Sequence, residues 1–416
     1  MGKMVVIGGG VIGLSCAFSL VERGAEVIVV ESREGAHGAS LVNAGWVTPS
    51  LADPVPAPGL VRTSLRWMVR SDSPLYIRPA SMPGMSRWLF DFWRHCNQRD
   101  FLAGGEACSS LGRTTMDLFD HMQAAGVEFE MRADGLLHAY MSPKTMEHDY
   151  KTLESIFDAS MTMPEMMEGN DVRAFEPAIG PSVQGGFWFD GDRSVQPASF
   201  VDGLRTWLEA KGVEFRTLTT VTGFERNGTT LSSVKTSDGS IACDGAVIAA
   251  GAHSGTLSKL AGRALPIQGG KGYCLNYSPP PVEAKHPIYL HEARVAVTPF
   301  DGSLRLAGTM EFSGINEVVR PERVAALSRA ASRMLRNIPP DPEKATSIGS
   351  GLRPMAPDGI PVIGLLSGYG NLAVATGHAM LGLTLAPSTG EAIADLMTTG
   401  KAPDVIEPFS PARFRA

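Results

Sequence analysis

The start of the chain shows the order of apolar and small positions expected of a strand, a helix and a second strand. Residues 4–7 are consecutive, apolar and mostly β-branched, which is typical of a buried parallel strand. Apolar positions then recur at helical spacing over Val11–Glu22, and Gly24 follows as a helix-stop residue. A second apolar run, Glu26–Val30, predicts the next strand. The pattern therefore predicts a β–α–β unit.

Beyond this unit the pattern alternates between helical and strand periodicity. Helices are predicted over residues 105–130, 146–160, 197–210 and 323–336, and a closing helix ends at residue 397. Strands are predicted over residues 185–189, 213–224, 231–243, 246–250 and 371–375, and residues 273–308 are rich in strand-forming positions. The run at 246–250 ends at a glycine, so we expect it to return to the first sheet. The chain is thus predicted to cross several times between two interleaved lobes.

Glycines stand at a fixed spacing between the first strand and the first helix. Gly8, Gly10 and Gly13 satisfy the pattern G-x-G-x-x-G. In this pattern the first glycine permits a tight turn, the second lets the backbone approach a pyrophosphate, and the third allows helix and strand to pack closely. Glu31 ends the second strand, where a carboxylate accepts hydrogen bonds from an adenosine ribose. One dinucleotide site is predicted, and these residues alone leave NAD and FAD both open.

Composition restricts the function classes. The chain has 416 residues, 44% of them hydrophobic, and a net charge of −6. A general nucleic-acid-binding protein would carry a basic excess, so that class is excluded. The longest apolar run, residues 371–387, is too interrupted for a membrane-spanning helix, and we expect no signal peptide before the first strand. Five scattered cysteines without a Cys-x-x-Cys spacing fit a reducing compartment and predict no metal site.

Residues 51–100 differ from the rest of the chain in charge and aromatic content. They hold seven arginines and four aspartates but no lysine or glutamate, and they contain three of the six tryptophans. Arg62, Arg66 and Arg70 would share one face of a helix, and Trp88 and Trp93 would lie on an apolar face. The segment is interpreted either as an amphipathic layer packed on the body of the protein or as a patch that docks a membrane surface or an electron acceptor.

Four stretches together resemble the FAD-dependent D-amino-acid dehydrogenase family, within the D-amino-acid oxidase superfamily. They are residues 6–13 (VIGGGVIG), 43–45 (NAG), 352–359 (LRPMAPDG) and 376–384 (TGHAMLGLT). The resemblance implies an α/β fold in which a doubly wound FAD-binding domain is interleaved with a mixed-sheet substrate domain, as in D-amino-acid oxidases. It assigns residues 1–50, 190–265 and 345–416 to the FAD-binding domain, and residues 51–189 and 266–344 to the substrate-binding domain.

Position by position, the resemblance implies a set of FAD-binding residues. Around the adenosine and pyrophosphate it places Gly8, Gly10, Val11, Ile12, Gly13, Glu31, Ser40, Val221 and Gly251. Beside the isoalloxazine it places Asn43, Ala44, Gly45, Gly382, Leu383 and Thr384. Relatives with a covalently bound flavin carry a cysteine where this chain has Gly351, so the resemblance implies non-covalent FAD.

Two residues are the catalytic candidates. Arg353 has a planar guanidinium that matches a carboxylate bidentately, and the family has an arginine here on the substrate side. Tyr273 resembles a tyrosine of the substrate-domain sheet whose hydroxyl reaches the same carboxylate. Each has an alternative interpretation, namely a structural ion pair for the arginine and an ordinary sheet aromatic for the tyrosine. His378 and Trp46 are further candidates, either for shaping the flavin environment or for packing.

The resemblance implies oxidative deamination of a D-amino acid to a 2-oxo acid and ammonia. A hydride would pass from Cα to flavin N5, and the electrons would pass to a quinone or another non-oxygen acceptor. Three alternatives stay open: dehydrogenation of D-proline or cis-4-hydroxy-D-proline, a glycine- or sarcosine-type oxidase that uses oxygen, and a non-catalytic FAD-binding subunit. The expected partners are a small amino-acid substrate and the electron acceptor, without nucleic acid. We expect a cytoplasmic protein, with peripheral contact at the cytoplasmic face of the inner membrane as an open alternative.

Overall fold

Two large β-sheets organise the chain, which is described by a computed structural model over residues 2–35, 37–61, 64, 73–156 and 163–414. The predicted face of Arg62, Arg66 and Arg70 lies outside these described residues. The strands, in chain order, are β1 (Lys3–Ile7), β2 (Glu26–Val30), β3 (Trp46–Val47), β4 (Leu75–Ile77), β5 (Met131–Arg132), β6 (Leu136–Tyr140), β7 (Glu165–Glu168), β8 (Gly185–Phe189), β9 (Arg193–Val195), β10 (Glu214–Arg216), β11 (Val221–Asn227), β12 (Thr230–Thr236), β13 (Gly239–Ala242), β14 (Gly245–Ile248), β15 (Gln268–Tyr277), β16 (Ile288–Leu290), β17 (Val295–Phe300), β18 (Ser303–Phe312), β19 (Ser347–Met355), β20 (Val362–Leu365) and β21 (Leu372–Thr376). The helices are α1 (Val11–Glu22), α2 (Ala39–Val42), α3 (Met82–His95), α4 (Gln98–Gly112), α5 (Thr115–Ala124), α6 (Pro143–Ile156), α7 (Gly169–Phe175), α8 (Pro197–Ala210), α9 (Ser254–Leu260), α10 (Pro321–Ser332) and α11 (Ala386–Thr399).

The first sheet has the strand order β10–β2–β1–β14–β21–β20. Its neighbouring strands are parallel except β20 and β21, which pair antiparallel. Helices α1, α8 and α11 pack on one face, and the three-stranded sheet β11–β12–β13 covers the other. Because both faces are buried, the central strands consist of continuous apolar runs, with Val5 and Val6 both fully buried.

The second sheet has the order β19–β15–β18–β17–β16–β6–β8–β7, with β4 paired to β18. It is antiparallel apart from the pairs β16–β6 and β4–β18. One face carries an apolar cluster with α10, to which Leu275, Val297 and Leu306 contribute. The opposite face contacts the chain around Val42, Ala44 and Trp46. The region between the two sheets is therefore walled by this second face.

Several of the helices and strands predicted from the sequence are present, and others are each split into two shorter elements. The run at 246–250 contains β14, which pairs with β1 as predicted, and the predicted helix at 197–210 is α8. The predicted strands at 213–224 and 231–243 each divide in two, at Leu218 (φ 54°) and at Gly239 (φ 114°), because the chain turns to build the β11–β13 meander. Residues 105–130 hold the end of α4 and all of α5 rather than one helix. The domain boundaries stay a prediction; β19, which was assigned to the FAD-binding part, pairs with the second sheet.

Candidate functional site

A cavity of about 1170 Å³ lies between the two sheets. It extends from the carboxyl ends of β1 and β2 to residues of β15, β18 and β19 in the second sheet. Drug-sized ligands occupy pockets of roughly 300–1,000 Å³, so this cavity has room for a larger ligand or for two ligands together. Ligands of open α/β sheets bind outside the carboxyl ends of the parallel strands, which is where this cavity begins.

The glycine turn forms the end of the cavity beside the first sheet. Gly8 has φ = +119°, and a Cβ there would lie 2.5 Å from the carbonyl oxygen of Ala249. A Cβ on Gly10 would lie 2.7 Å from Ser40 Oγ, which accepts a hydrogen bond of 3.1 Å from the Val11 N–H. Gly10 occupies the N-cap position of α1 and has no side chain to cap that helix. The turn thus leaves the helix N-terminus open to the cavity, an arrangement that favours a bound phosphate.

Glu31 follows β2 and lines the same end of the cavity. Its Oε2 accepts a hydrogen bond from the Gly9 N–H at 2.9 Å, and its Oε1 accepts one from the Arg33 N–H at 3.0 Å. These bonds hold the carboxylate beside the glycine turn. Since Oε1 also accepts from Ser32 Oγ at 3.1 Å, the further acceptor capacity lies on Oε2. The position is the one from which an acid accepts ribose hydroxyls in dinucleotide-binding folds.

The segment from α2 to β3 connects the two ends of the cavity. Asn43 holds it in shape, because its Nδ2 donates to the carbonyls of Ala39 and Ser40 and its Oδ1 accepts from the Gly45 N–H at 2.7 Å. Arg305 of β18 donates from Nη1 to the carbonyl of Asn43 at 2.9 Å. Arg305 is not among the residues predicted from the sequence, since nothing near it in the chain distinguishes it from other strand arginines. The segment is therefore fixed internally and from the second sheet, and the Val11 N–H of α1 ties it to the glycine turn through Ser40.

The turn before α11 forms another part of the wall. Gly382 and Leu383 line the cavity. Thr384 lies behind them, where its Oγ1 accepts a hydrogen bond from the Thr48 N–H at 3.1 Å and its carbonyl accepts one from Thr115 Oγ1 at 2.7 Å. Thr384 therefore stabilises the turn without reaching the cavity itself.

Arg353 lies on β19 where that strand lines the cavity. Its guanidinium lies over Gly272 of β15, where a Cβ would overlap it, and Nη1 donates to the Thr309 carbonyl at 2.9 Å. The surrounding protein lowers the pKa of Arg353 to about 10, so it stays charged at neutral pH. Within the described ranges no carboxylate forms an ion pair with it. An enclosed cation without a counter-ion is unfavourable by itself and is suited to binding an anion.

Tyr273 does not lie in the cavity with Arg353. Its side chain lies in the apolar cluster on the opposite face of β15 and is 1% exposed. Its hydroxyl donates to Glu311 Oε2 at 2.8 Å, beside the buried pair of Glu311 and Lys271. Successive side chains of a strand point to opposite faces, so Gly272 faces the cavity and its neighbour Tyr273 does not. The expectation that Tyr273 reaches the substrate carboxylate is corrected in favour of the sheet-aromatic interpretation.

A polar cluster at the end of the cavity away from the glycine turn contains none of the residues predicted from the sequence. It is formed by His138, Tyr140, Asp149, Tyr289, His291 and Arg294, and we refer to these six residues as the polar cluster. His291 Nε2 lies 2.9 Å from Asp149 Oδ2. Burial lowers the pKa of His138 to about 3, and its Nε2 has no partner in the part of the chain that the structure describes. The only local signal was a histidine inside the apolar run of β6.

Most of the predicted site residues line this cavity. They are Gly8, Gly10, Val11, Ile12, Glu31, Ser40, Asn43, Ala44, Val221, Gly251, Gly382, Leu383 and Arg353. Four do not line it and lie behind its wall: Gly13, Gly45, Thr384 and Tyr273. Gly13 and Gly45 have packing roles, since a Cβ on Gly13 would overlap the Gly8 carbonyl and one on Gly45 would lie 2.5 Å from the Val195 carbonyl.

Comparison with protein families matches residues 3–396 to the family described as FAD dependent oxidoreductase. The chain is 32% identical over 412 residues to a D-amino acid dehydrogenase of Rhizorhabdus wittichii, covering 97% of each protein. It is 31% identical over 425 residues to a D-amino acid dehydrogenase of Methylobacterium nodulans, covering 99% of each. The resemblance inferred from the sequence motifs is confirmed.

Solved structures show the same fold. Glycine oxidase from Bacillus cereus superposes with a TM-score of 0.75 at 22% identity, covering 98% of this chain and 100% of that one. L-proline dehydrogenase from P. horikoshii gives a TM-score of 0.75 at 19% identity, covering 99% of this chain and 97% of that one. The predicted fold class is confirmed by these likenesses. Within the described residues no helix is both long and apolar enough to cross a bilayer.

The glycine turn yields a testable prediction. Gly10→Ala should weaken FAD binding about 5- to 150-fold, because the added Cβ would lie 2.7 Å from Ser40 Oγ and overpacking of this kind costs about 1–3 kcal/mol. The measurement is the flavin-to-protein absorbance ratio during dilution, together with the thermal midpoint with and without added FAD. Gly191→Ala is the matched control, since that glycine has no heavy atom near its Cβ position. Equal flavin retention in both variants would contradict the assignment.

Proposed function

The chain belongs to the FAD dependent oxidoreductase family, and we propose that it oxidises a D-amino acid to the imino acid, which water hydrolyses to the 2-oxo acid and ammonia, and that it passes the two electrons to a quinone-type acceptor. The relatives named D-amino acid dehydrogenase support this choice, because the likeness extends over nearly the whole chain. The observation that carries the proposal is the enclosed, unpaired guanidinium of Arg353 in the same cavity as the glycine turn. A cation there suits the carboxylate of an amino acid.

The residues of the cavity fit FAD. Helix α1 approaches β1 so closely that a Cβ on Gly13 would overlap the Gly8 carbonyl, and Gly10 leaves the helix N-terminus clear for a pyrophosphate. Glu31 keeps acceptor capacity for a ribose. The residues that would hold FAD are Gly8, Gly10, Val11, Ile12, Glu31, Ser40, Val221 and Gly251 towards the adenosine, and Asn43, Ala44, Gly382 and Leu383 towards the ring. When bound, FAD accepts the hydride that leaves Cα.

We further propose that the flavin is held without a covalent bond. Gly351 has no room for a side chain, since a Cβ there would lie 2.7 Å from the Ala39 nitrogen and would overlap Val42. No cysteine belongs to the cavity lining formed by the described residues. The described part of the cavity therefore has no thiol that could bond to the flavin ring.

Acid precipitation should therefore release all of the flavin. The expected result is a colourless protein pellet and a yellow supernatant, measured by absorbance and by mass spectrometry of the denatured chain. The control is a free FAD–albumin mixture treated in the same way. Yellow colour that stays in the pellet, or a protein mass increased by a flavin, would overturn the non-covalent proposal.

The chain's own residues bind and orient the substrate. Arg353 would hold the carboxylate through its planar fork, leaving Cα free to face the ring. His378 is neutral, because burial lowers its pKa to about 3, and its Nε2 lies 3.0 Å from Thr389 Oγ1. This contact ties the segment before the Gly382 turn to α11. Trp46 donates from Nε1 to Thr298 Oγ1 at 2.9 Å and closes the wall towards the second sheet.

Replacing Arg353 tests its role directly. Arg353→Ala should lower kcat/KM for a D-amino acid by about 30- to several-thousand-fold, the equivalent of roughly 2–5 kcal/mol, because the substrate carboxylate loses its charged partner. The kcat/KM of Arg353→Lys should lie between that of the original enzyme and that of Arg353→Ala, since lysine restores the charge but not the planar, two-pronged geometry of the guanidinium. Both variants should keep their FAD and visible spectrum.

A second variant tests the position of the Arg353 guanidinium without changing its charge. Gly272→Ala keeps the arginine but places a Cβ where the guanidinium now lies, so it should also reduce kcat/KM. Flavin content is the control for a general loss of structure. An Arg353→Ala enzyme that retains FAD and works within a few-fold of the original would remove Arg353 from the mechanism.

The proposed acceptor and membrane contact rest on the surface of α3. Met82 and Phe90 are 41% and 54% exposed on this helix, within the arginine-rich segment noted above. A basic, partly apolar surface is suited to an anionic membrane that holds quinones. An oxygen-using oxidase, the alternative, needs no such surface.

Liposome binding provides the test. Met82→Ser with Phe90→Ser should weaken binding to anionic vesicles about tenfold at low salt, because less apolar surface is buried, while flavin reduction by substrate stays unchanged. Leu218→Ser, at an exposed leucine outside this segment, is the control. Reduced enzyme should react quickly with a quinone analogue and slowly with oxygen. If the original protein shows no vesicle affinity, or reacts fastest with oxygen, this part of the proposal is wrong.

A further inference from the structure

Two arginines flank one unusual residue of β18. Arg353 donates to the carbonyl of Thr309. On the neighbouring strand β17, Val295 pairs with Gly308. Arg294 precedes Val295 and Thr309 follows Gly308 in this antiparallel pair, so Arg294 lies opposite Thr309. Neighbouring strands lie about 4.8 Å apart, so the backbones of Arg294 and Thr309 are adjacent. Both arginines line the cavity on either side of Thr309.

The backbone here is in a rare conformation. Thr309 has φ = +64° and Arg294 has φ = +53°, and a β-branched residue seldom adopts such a value. The Oγ1 of Thr309 is buried and has no hydrogen-bond partner among the described residues. Strained residues and unpaired polar groups of this kind persist where a site needs them. Both residues line the cavity.

The polar cluster around Arg294 presents hydrogen-bond donors. Arg294 Nη1 donates to the Tyr289 hydroxyl at 3.0 Å, which leaves other guanidinium N–H groups and the Tyr289 O–H available. Burial by itself would raise the pKa of Asp149, but the hydrogen bonds from His291 and Tyr140 and the charge of Arg294 outweigh it, so this pKa lies below its usual value. Asp149 is thus a carboxylate that offsets the charge of Arg294. The cluster suits a neutral oxygen better than a second anion.

We propose that the polar cluster recognises an oxygen atom on the side chain of the substrate. The inference rests on the function proposed above and names its substrate class: D-amino acids that carry a hydroxyl or carboxamide oxygen. The α-carboxylate binds Arg353, and the side-chain oxygen accepts hydrogen bonds from Arg294 and Tyr289. Thr309 lies between them, where its unpaired Oγ1 meets the polar part of the ligand. A hydrocarbon side chain offers these donors no acceptor and would displace the water that they bind in the open cavity, which disfavours it.

Matched substrate pairs test the inference in the holoenzyme. D-threonine is compared with D-valine, D-glutamine with D-norleucine, and cis-4-hydroxy-D-proline with D-proline, by the rate of anaerobic flavin bleaching at limiting substrate. A hydrogen bond to a charged donor stabilises the bound substrate, so we expect about a 10- to 150-fold faster bleaching by the oxygen-bearing member of at least one pair. The pair with the largest ratio then identifies the geometry that the cluster accepts.

Three variants assign that preference to the cluster. Tyr289→Phe and Arg294→Met should reduce the ratio to about threefold or less by slowing only the oxygen-bearing member. Arg329→Met, on the exposed side of α10, is the matched control and should leave both rates unchanged. Tyr289→Phe changes a single hydroxyl, so it keeps the test valid if Arg294→Met does not fold. Flavin content and thermal midpoint confirm that each variant is intact.

The outcomes separate this inference from the proposed function. If the hydrocarbon members bleach the flavin as fast as their partners, the inference is wrong and the proposed function stands. The same holds if Tyr289→Phe slows both members of a pair equally. If no D-amino acid of either kind reduces the flavin, the proposed function fails and the inference fails with it.

Discussion

The close approach of helix α1 to strand β1 is the constraint on which the site depends. Gly13 has no space for a side chain because a Cβ would overlap the Gly8 carbonyl, and Gly390 of α11 has none because its Cβ would overlap the backbone of Ser15. Helix α1 is therefore held tightly between the sheet and α11. This contact fixes the direction in which the N-terminus of α1 points, and with it the end of the cavity suited to phosphates.

A second set of contacts joins that end to the part of the cavity that holds Arg353. The segment from α2 to β3 is tied internally by Asn43 and is tied to β18 by Arg305, whose Nη1 also donates to the Leu41 carbonyl at 2.9 Å. Arg305 is 8% exposed, so its hydrogen bonds are formed away from bulk water and are correspondingly strong. Because the Val11 N–H of α1 donates to Ser40 in the same segment, helix α1 and the second sheet share one wall. A cofactor along this wall and the substrate proposed at Arg353 would be positioned by the same backbone.

The distribution of charge suits the proposed chemistry. Arg353 is enclosed without a carboxylate partner in the described structure, and the surroundings lower its pKa to about 10. Holding a cation in this state lowers stability in the free protein, and binding of an anion recovers that free energy. His138 and His378 have pKa values lowered to about 3 by burial, so both are neutral at physiological pH and add no competing positive charge. Arg353 is then the natural partner for a carboxylate.

The sequence by itself determined the β–α–β unit, the glycine turn and Glu31, because each of these residues has its own geometric requirement and all lie close together in the chain. It also determined the family, and Arg353 as a cavity residue, through motifs of consecutive positions. Only the tertiary structure decided which side chains of the second sheet face the cavity. Gly272 and Tyr273 are neighbours in sequence, yet strand alternation places Tyr273 on the far side. Arg294 lines the cavity because the register of β17 on β18 places it there. A register shift of one residue would move each side chain of the strand to the opposite face of the sheet.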